Sequence, residues 1–187
     1  MRSHEPGNVA SQPPAAPVVI RRATVDDAAA LAEFGARTFF DTFEKDNTVE
    51  DMRLHLASAW GPDRQRAEIL NEQIDTLLAC ERQGVLAGFA QLQPGHAPAC
   101  IATVQPVELL RFYVDKPWQG QGVARQLMEA VESQARARGA RELWLGVWER
   151  NERAQAFYRK CGFRKVGTQI FVVGTDPQTD HVMLQEL

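Results

Sequence analysis

The stretch Glu108-Leu109-Leu110-Arg111-Phe112-Tyr113-Val114-Asp115-Lys116-Pro117-Trp118-Gln119-Gly120-Gln121-Gly122-Val123-Ala124-Arg125 decides how this chain is read. Its first half belongs to an apolar run, read as a strand over residues 106–114. Pro117 sets a turn in the link that follows. Beyond the two glycines, Val123, Leu127 and Val131 recur every four positions, with Ala124 and Met128 on the same broad face. Gly139 closes that helical run after Arg136 and Arg138. Strand, glycine loop and helix start, in that order, make an anion site. The first helical N–H groups have no partner within the helix, and the macrodipole favours negative charge there. Gly120 and Gly122 lack a Cβ, so a phosphate can approach the backbone closely. The loop is expected to hold a pyrophosphate.

A chain of 187 residues, 44% of them hydrophobic, is expected to build one domain with a substantial core. The net charge of −3, with both signs mixed along the chain, leaves no electrostatic footprint for nucleic acid. No run of 18 apolar residues suggests a membrane span, and the N-terminal residues lack the apolar segment of a signal peptide. Cys80, Cys100 and Cys161 are scattered without metal-ligand spacing. An odd number of cysteines in a chain without a signal fits a reducing compartment, and a cytoplasmic location is expected.

Residues 1–17, with Pro6, Pro13, Pro14 and Pro17 and little that is bulky, read as a disordered tail; residues 18–187 read as the domain. Val18-Val19-Ile20 is expected to start a strand. Thr24 reads as the cap of a helix that ends near Thr38, with Asp26 and Asp27 in its first turn. Phe39, Phe40 and Phe43 follow. Thr48 and Asp51 are spaced as a capping-box equivalent for a second helix that stops at Gly61-Pro62, and a short helix covers residues 63–70. Residues 74–80 and 85–92 read as strands joined at Gln83-Gly84. Leu143, Leu145 and Val147 alternate with Trp144, Gly146 and Trp148, so both faces are apolar, as in a central strand covered on both sides. A short helix is expected over residues 151–160. Two closing strands, residues 163–173 and 181–187, are expected to flank a polar turn at 174–180.

The Gln119-x-x-Gly122-x-Ala124 loop and the later Asn151-x-x-Ala154-x-x-Phe157-Tyr158-x-x-x-Gly162-Phe163 segment together resemble the GNAT family of N-acetyltransferases. Other glycine motifs fail on spacing. A dinucleotide fingerprint from Gly120 needs glycine or alanine where Arg125 stands, and the Gly-Lys-Ser/Thr of a P-loop is absent. The resemblance implies an α/β (α+β) fold. Its centre would be a mixed, mostly antiparallel twisted sheet of about six to seven strands, flanked by about four to five helices. It also implies acetyl-CoA as cosubstrate and no metal. On the family pattern, the loop amides of Gln119, Gly120, Gln121, Gly122, Val123, Ala124 and Arg125 hold the pyrophosphate. Free backbone groups of Phe112, Tyr113 and Val114 pair with the pantetheine arm, and Asn151 contacts the cofactor. Asn151 also suits a helix cap.

Tyr158 matches the family tyrosine that protonates the leaving thiolate, a task that a phenol suits. An alkylamine is mostly protonated at neutral pH, so a base or a water chain must take a proton. Glu108 is the candidate, since strict alternation places it on one strand face with Leu110, Phe112 and Val114. Glu33, Asp41 and Glu44 compete with it. Transfer is expected to be direct, in a ternary complex. The Val114 N–H would polarise the thioester carbonyl, and Cys161 would form no covalent intermediate.

The acceptor is expected to be a small-molecule amine or a peptide amine. The segment around Phe39, Phe43 and Thr48 is similar to a bacterial subgroup of the family that includes PaiA-type polyamine acetyltransferases. Asp41, Glu44, Asp46, Glu50 and Asp51 could favour a cation. An aminoglycoside-like antibiotic or an amino acid are alternatives within the class. A non-catalytic acyl-CoA-binding module is the alternative outside it. Homodimers are common in the family.

Overall fold

A computed structural model describes residues 18–95, 97–102 and 105–187, so the expectation of a disordered tail at 1–17 lies outside the described residues. The strands are β1 (Val18–Arg22), β2 (Asp75–Glu81), β3 (Leu86–Pro94), β4 (Val107–Val114), β5 (Glu142–Trp148), β6 (Arg164–Val173) and β7 (Asp176–Glu186). The helices are α1 (Ala28–Phe43), α2 (Val49–Ala59), α3 (Pro62–Leu70), α4 (Val123–Ala137) and α5 (Glu152–Lys160). One seven-stranded sheet runs in the order β1-β2-β3-β4-β5-β7-β6. The pairs are antiparallel except β4 with β5, which α4 joins as a crossover. The mixed, mostly antiparallel sheet is the expected one.

Each sheet face carries its own core. Val123, Leu127, Val131 and Ala135 of α4 are fully buried and pack with Leu77, Leu109, Leu143 and Leu145 on one face. Leu31 and Phe34 of α1, Met52 of α2 and Trp60 pack with Leu78 and Phe89 on the other. β5 is covered on both sides, which is why its sequence reads apolar on both faces from Leu143 to Trp148.

The first helix runs to Phe43 rather than ending near Thr38. Its threonines are satisfied inside the helix. Thr38 Oγ1 donates to the Phe34 carbonyl at 2.8 Å and Thr42 Oγ1 to the Thr38 carbonyl at 2.7 Å. The stop comes later, where the Asn47 amide donates to the Phe43 carbonyl at 2.9 Å. Thr48 does cap α2, accepting from the Asp51 N–H at 3.1 Å. Asp51 does not return the bond to the Thr48 backbone. Its carboxylate instead accepts from the Thr175 N–H at 2.7 Å and the Thr175 hydroxyl at 2.8 Å, tying α2 to the β6–β7 turn.

Two strand expectations fail in ways that matter for the site. β7 begins at Asp176, so residues 176–180 are strand and not a polar turn. Pro177 is tolerated there because β5 reaches only as far as the Trp148–Asp180 pair, which leaves that part of β7 paired on one side. On β4, the register with β3 slips between the Gln91–Arg111 and Leu92–Leu109 pairs, so Leu110 is an extra residue. That bulge reverses the alternation. Val107 and Leu109 share the α4 face with Phe112 and Val114, while Glu108 turns to the opposite face beside Trp144.

Candidate active site

β4 and β5 touch at only two register pairs, Val107–Leu143 and Glu108–Trp144, and then part. The bulge at Leu110 bends β4 away just where the pairing stops. The gap opens a cleft of about 400 Å³ that passes through the sheet. Gln119, Gly120, Ala124, Asn151 and Tyr158 line it from the α4–α5 side; Phe39, Phe43, Phe171 and Asp180 line it from the α1–α2 side.

The strand wall offers backbone groups in alternation. The Asp115 N–H bonds to the Ala87 carbonyl at 2.9 Å, which turns the Arg111, Tyr113 and Asp115 amides toward β3. The Phe112 and Val114 amides therefore face the gap. The Val114 carbonyl is already taken by the Gln119 side-chain amide at 2.8 Å, but its N–H is open. Tyr113 does not fit the expected backbone role. Its amide serves β3, and its ring stacks on Phe89 at 5.5 Å. Burial pushes its phenol up to about 12.

At the loop, Gly120 and Gly122 sit at φ +78° and +81°, a region that L side chains rarely adopt. No neighbour lies within 4 Å of where a Gly120 Cβ would stand, so this backbone is open to a ligand. Gln126 makes the first bond of α4, to the Gly122 carbonyl at 3.1 Å, which leaves the preceding amides without helical partners. Ala124 reaches the cleft; Gln121, Gly122, Val123 and Arg125 do not line it. Val123 is core, and Arg125 pairs with Glu129 along the helix at 2.9 Å. These amides and the open Gly120 surface fit a pyrophosphate.

Asn151 caps α5 by accepting from the Ala154 N–H at 3.1 Å, and its Nδ2 has no partner among the described residues. Tyr158 is 8% exposed, with Phe112, Phe157 and Phe163 rings 5.5 to 6.2 Å away. Burial drives its phenol well above the usual tyrosine range, so it keeps its proton. Cys161 ends α5, and burial raises its thiol, which disfavours the nucleophilic thiolate.

The opposite wall holds an aromatic cluster. Phe43 meets Trp148 edge-on at 5.8 Å and Phe39 at 4.6 Å, and His55 stacks on Phe39 at 4.2 Å. Asp180 stands among them, 8% exposed, and burial pushes its carboxyl up to about 6. It is the only carboxylate lining the cleft among the described residues. The polar reading of residues 174–180 as a turn hid it. The signal available was Asp180 itself, two residues from the apolar run Val182-Met183-Leu184 and in phase with Val182 and Leu184.

Glu108 does not line the cleft. It accepts from the Gln93 amide at 2.9 Å, and burial raises its carboxyl. Glu33, Asp41 and Glu44 are absent from the cleft as well. Of the acidic residues expected to draw a cation, Asp41 pairs with Lys116 at 3.4 Å, Glu50 with Arg53 at 2.6 Å, and Asp51 is spent on Thr48 and Thr175. Arg111 lines the cleft but is compensated by Glu68 at 2.5 Å and stacks over Trp60 at 4.6 Å. Among the described residues, no helix is long and apolar enough to cross a membrane.

Known proteins share this architecture. The fold is similar to the crystal structure of the PaiA N-acetyltransferase of Thermoplasma acidophilum in complex with coenzyme A. The TM-score is 0.74 at 22% identity, over 91% of this chain and 99% of that one. In sequence, the chain is 35% identical over 160 residues to an N-acetyltransferase encoded in the pepI 3′ region of Lactobacillus delbrueckii subsp. lactis, covering 84% of this chain and 92% of the relative. It is 32% identical over 153 residues to the aminoglycoside N(6′)-acetyltransferase type 1 of Stenotrophomonas maltophilia, covering 81% and 90%. The sequence model of the acetyltransferase (GNAT) family matches residues 36–163. The chain therefore belongs to the GNAT family of acetyl-CoA-dependent N-acetyltransferases.

Proposed function

We propose that this enzyme moves an acetyl group from acetyl-CoA to a primary amine by direct attack within a ternary complex. The observation that carries this reading is the cleft through the sheet. It joins an anion-binding helix start on one face to an aromatic wall with a carboxylate on the other. The loop amides and Gly120 would hold the pyrophosphate, and the open Phe112 and Val114 backbone would receive the pantetheine arm. Bound there, acetyl-CoA supplies the activated thioester. The Val114 N–H would polarise its carbonyl oxygen, Asn151 Nδ2 would bond the cofactor arm, and Tyr158 would give a proton to the leaving thiolate. The same apolar surroundings that hold the Tyr158 proton also make a thiolate more basic, which favours the transfer.

The acceptor is a small-molecule amine or a peptide amine. A relative of 32% identity is named for aminoglycoside acetylation, and a shorter match of 36% identity over 67 residues is named for acetylation of an alanine on ribosomal protein bS18. Thiol release from acetyl-CoA, measured with the purified chain across alkylamines, polyamines, aminoglycosides and N-terminal peptides, tests the reading. Amine-dependent release supports it; tight binding of acetyl-CoA with no release on any amine would favour a non-catalytic module instead. A second copy of the chain is a further expected partner, read directly by light scattering during gel filtration.

A further inference from the structure

We propose that Asp180 anchors a cationic primary alkylamine and takes its proton, with the alkyl stem lying against Phe43, Trp148 and Phe171. This assignment rests on the acetyltransferase reading above. It begins from an energetic oddity. Asp180 is 8% exposed, yet no ion pair or hydrogen bond to its side chain exists among the described residues. A largely buried carboxylate without a protein partner costs stability, and Asp180 opens on the cleft, where a ligand can supply the counter-charge. The chain makes room for it. Gly146 on β5 interrupts the pattern set by Trp144 and Trp148, and a Cβ there would stand 2.9 Å from Asp180 Oδ2 and 2.5 Å from Gln169 Nε2. The glycine leaves the carboxylate clear on the sheet face that carries the aromatic wall. Phe43, Trp148 and Phe171 line the same cleft, and aromatic faces attract an ammonium and accept its methylenes.

The surrounding charges favour this role. From β4, Arg111 is neutralised by Glu68 and Tyr113 is held protonated. From α5, Arg153 and Tyr158 line the cleft on the cofactor side. From α2, His55 is disfavoured as a cation by burial and by Arg111 and Arg64. β5, β6 and α1 bring Gly146, Trp148, Phe171, Phe39, Thr42 and Phe43, none of them titratable. With its carboxyl pushed up to about 6, Asp180 is ionised at neutral pH and more basic than an exposed aspartate.

The protons balance as follows. The Asp180 carboxylate takes one proton from R–NH3⁺, leaving a neutral R–NH2 and a carboxylic acid. The nitrogen lone pair forms the C–N bond at the thioester carbonyl carbon, and the C–S bond breaks. The thiolate takes a proton from Tyr158, and the second N–H proton restores the phenol. Asp180 returns its proton to solvent, so one proton is released for each acetyl group transferred.

Two measurements on the full chain test the assignment. The first is calorimetric titration of n-butylamine, with n-butanol as the uncharged comparator, into wild type, Asp180→Asn and Asp180→Glu, each saturated with CoA. Asp180→Asn should bind butylamine about 10-fold more weakly and butanol unchanged. The second is the pH profile of kcat/KM for the best amine. Asp180→Asn should lose about 100-fold at pH 7 and lose the acidic limb near pH 6, with Asp180→Glu recovering part of the rate. Affinity for acetyl-CoA within about twofold of wild type would show an intact fold in each variant. Equal butylamine binding by wild type and Asp180→Asn would overturn the anchor, and an unchanged acidic limb would overturn the proton transfer. Absence of turnover by the wild type on every amine would instead defeat the acetyltransferase reading, and the binding arm would still decide the anchor.

Discussion

The two walls of the cleft are assembled by different means. On the α4–α5 side, Gln119, Gly120, Ala124, Asn151 and Tyr158 come from two neighbouring segments, and what they present is largely backbone amides, a helix cap and one phenol. On the α1–α2 side, Phe43, Trp148, Phe171 and Asp180 come from four elements spread across the chain, and what they present is side chains alone. A wall made of backbone geometry is stiff and indifferent to the acceptor. A wall made of side chains from separate elements can be exchanged residue by residue while the sheet stays intact. The first wall suits chemistry that every acceptor shares, and the second suits selection among acceptors.

The largest expected effect tests the stiff wall. Tyr158→Phe should lower turnover about 100-fold where chemistry limits the rate, while acetyl-CoA affinity changes little. Unchanged single-turnover rates would show that the α5 wall binds without acting.

The next effect concerns stability and belongs to the other wall. The Asp180 carboxyl is held above its unfolded value, so the folded state binds more protons than the unfolded one between about pH 4 and pH 6. Stability therefore falls as pH rises through that window, and the deficit is complete above it. Asp180→Asn removes the deficit. It should be more stable than wild type by about 2 kcal/mol at pH 8 and equal at pH 4, read by denaturant melts at the two pH values. Equal stability at both would mean that the carboxylate is solvated.

A smaller effect separates the walls most cleanly. In Gly146→Ala the new methyl group would press on the ends of Asp180 and Gln169, both able to shift. The kcat/KM for the amine should fall about 10-fold with the KM for acetyl-CoA unchanged. A matching rise in the acetyl-CoA KM would mean that the two walls are not independent. The smallest effect is expected at Glu108, which does not line the cleft. Glu108→Gln should change the rate by less than about twofold and leave both limbs of the pH profile in place.

The same contrast explains what the sequence could disclose. The helix start of α4 and the helix that carries Asn151 and Tyr158 lie within single elements, where the 3.6-residue period holds, so those elements could be read from the letters, while the expected roles of Asn151 and Tyr158 came with the family resemblance. Helices α2 and α3 and the strands β2 to β5 were also evident from caps, glycines and alternation. Glu108 went to the wrong face because one extra residue at Leu110 shifts the strand phase, and nothing in an apolar run marks which residue bulges. Asp180 was missed because Asp176-Pro177-Gln178-Thr179-Asp180 has the composition of a turn. Only the pairing of β7 with β6 beyond the end of β5 makes it strand. The end of α1 lies beyond the expected Thr38 for a related reason, since Thr38 and Thr42 bond back into the helix, which runs on to Phe43.

The parting of β4 from β5 also leaves a signature in amide exchange. In the middle of a seven-stranded sheet every amide is ordinarily slow to exchange with solvent deuterium. Here protection should alternate along a single strand. The Arg111, Tyr113 and Asp115 amides, bonded to β3, should be slow, and Phe112 and Val114, facing the gap, should be fast. Adding CoA should slow the fast pair and leave the others unchanged. The central strand thus carries its own reporter of occupancy, readable without any substrate being turned over.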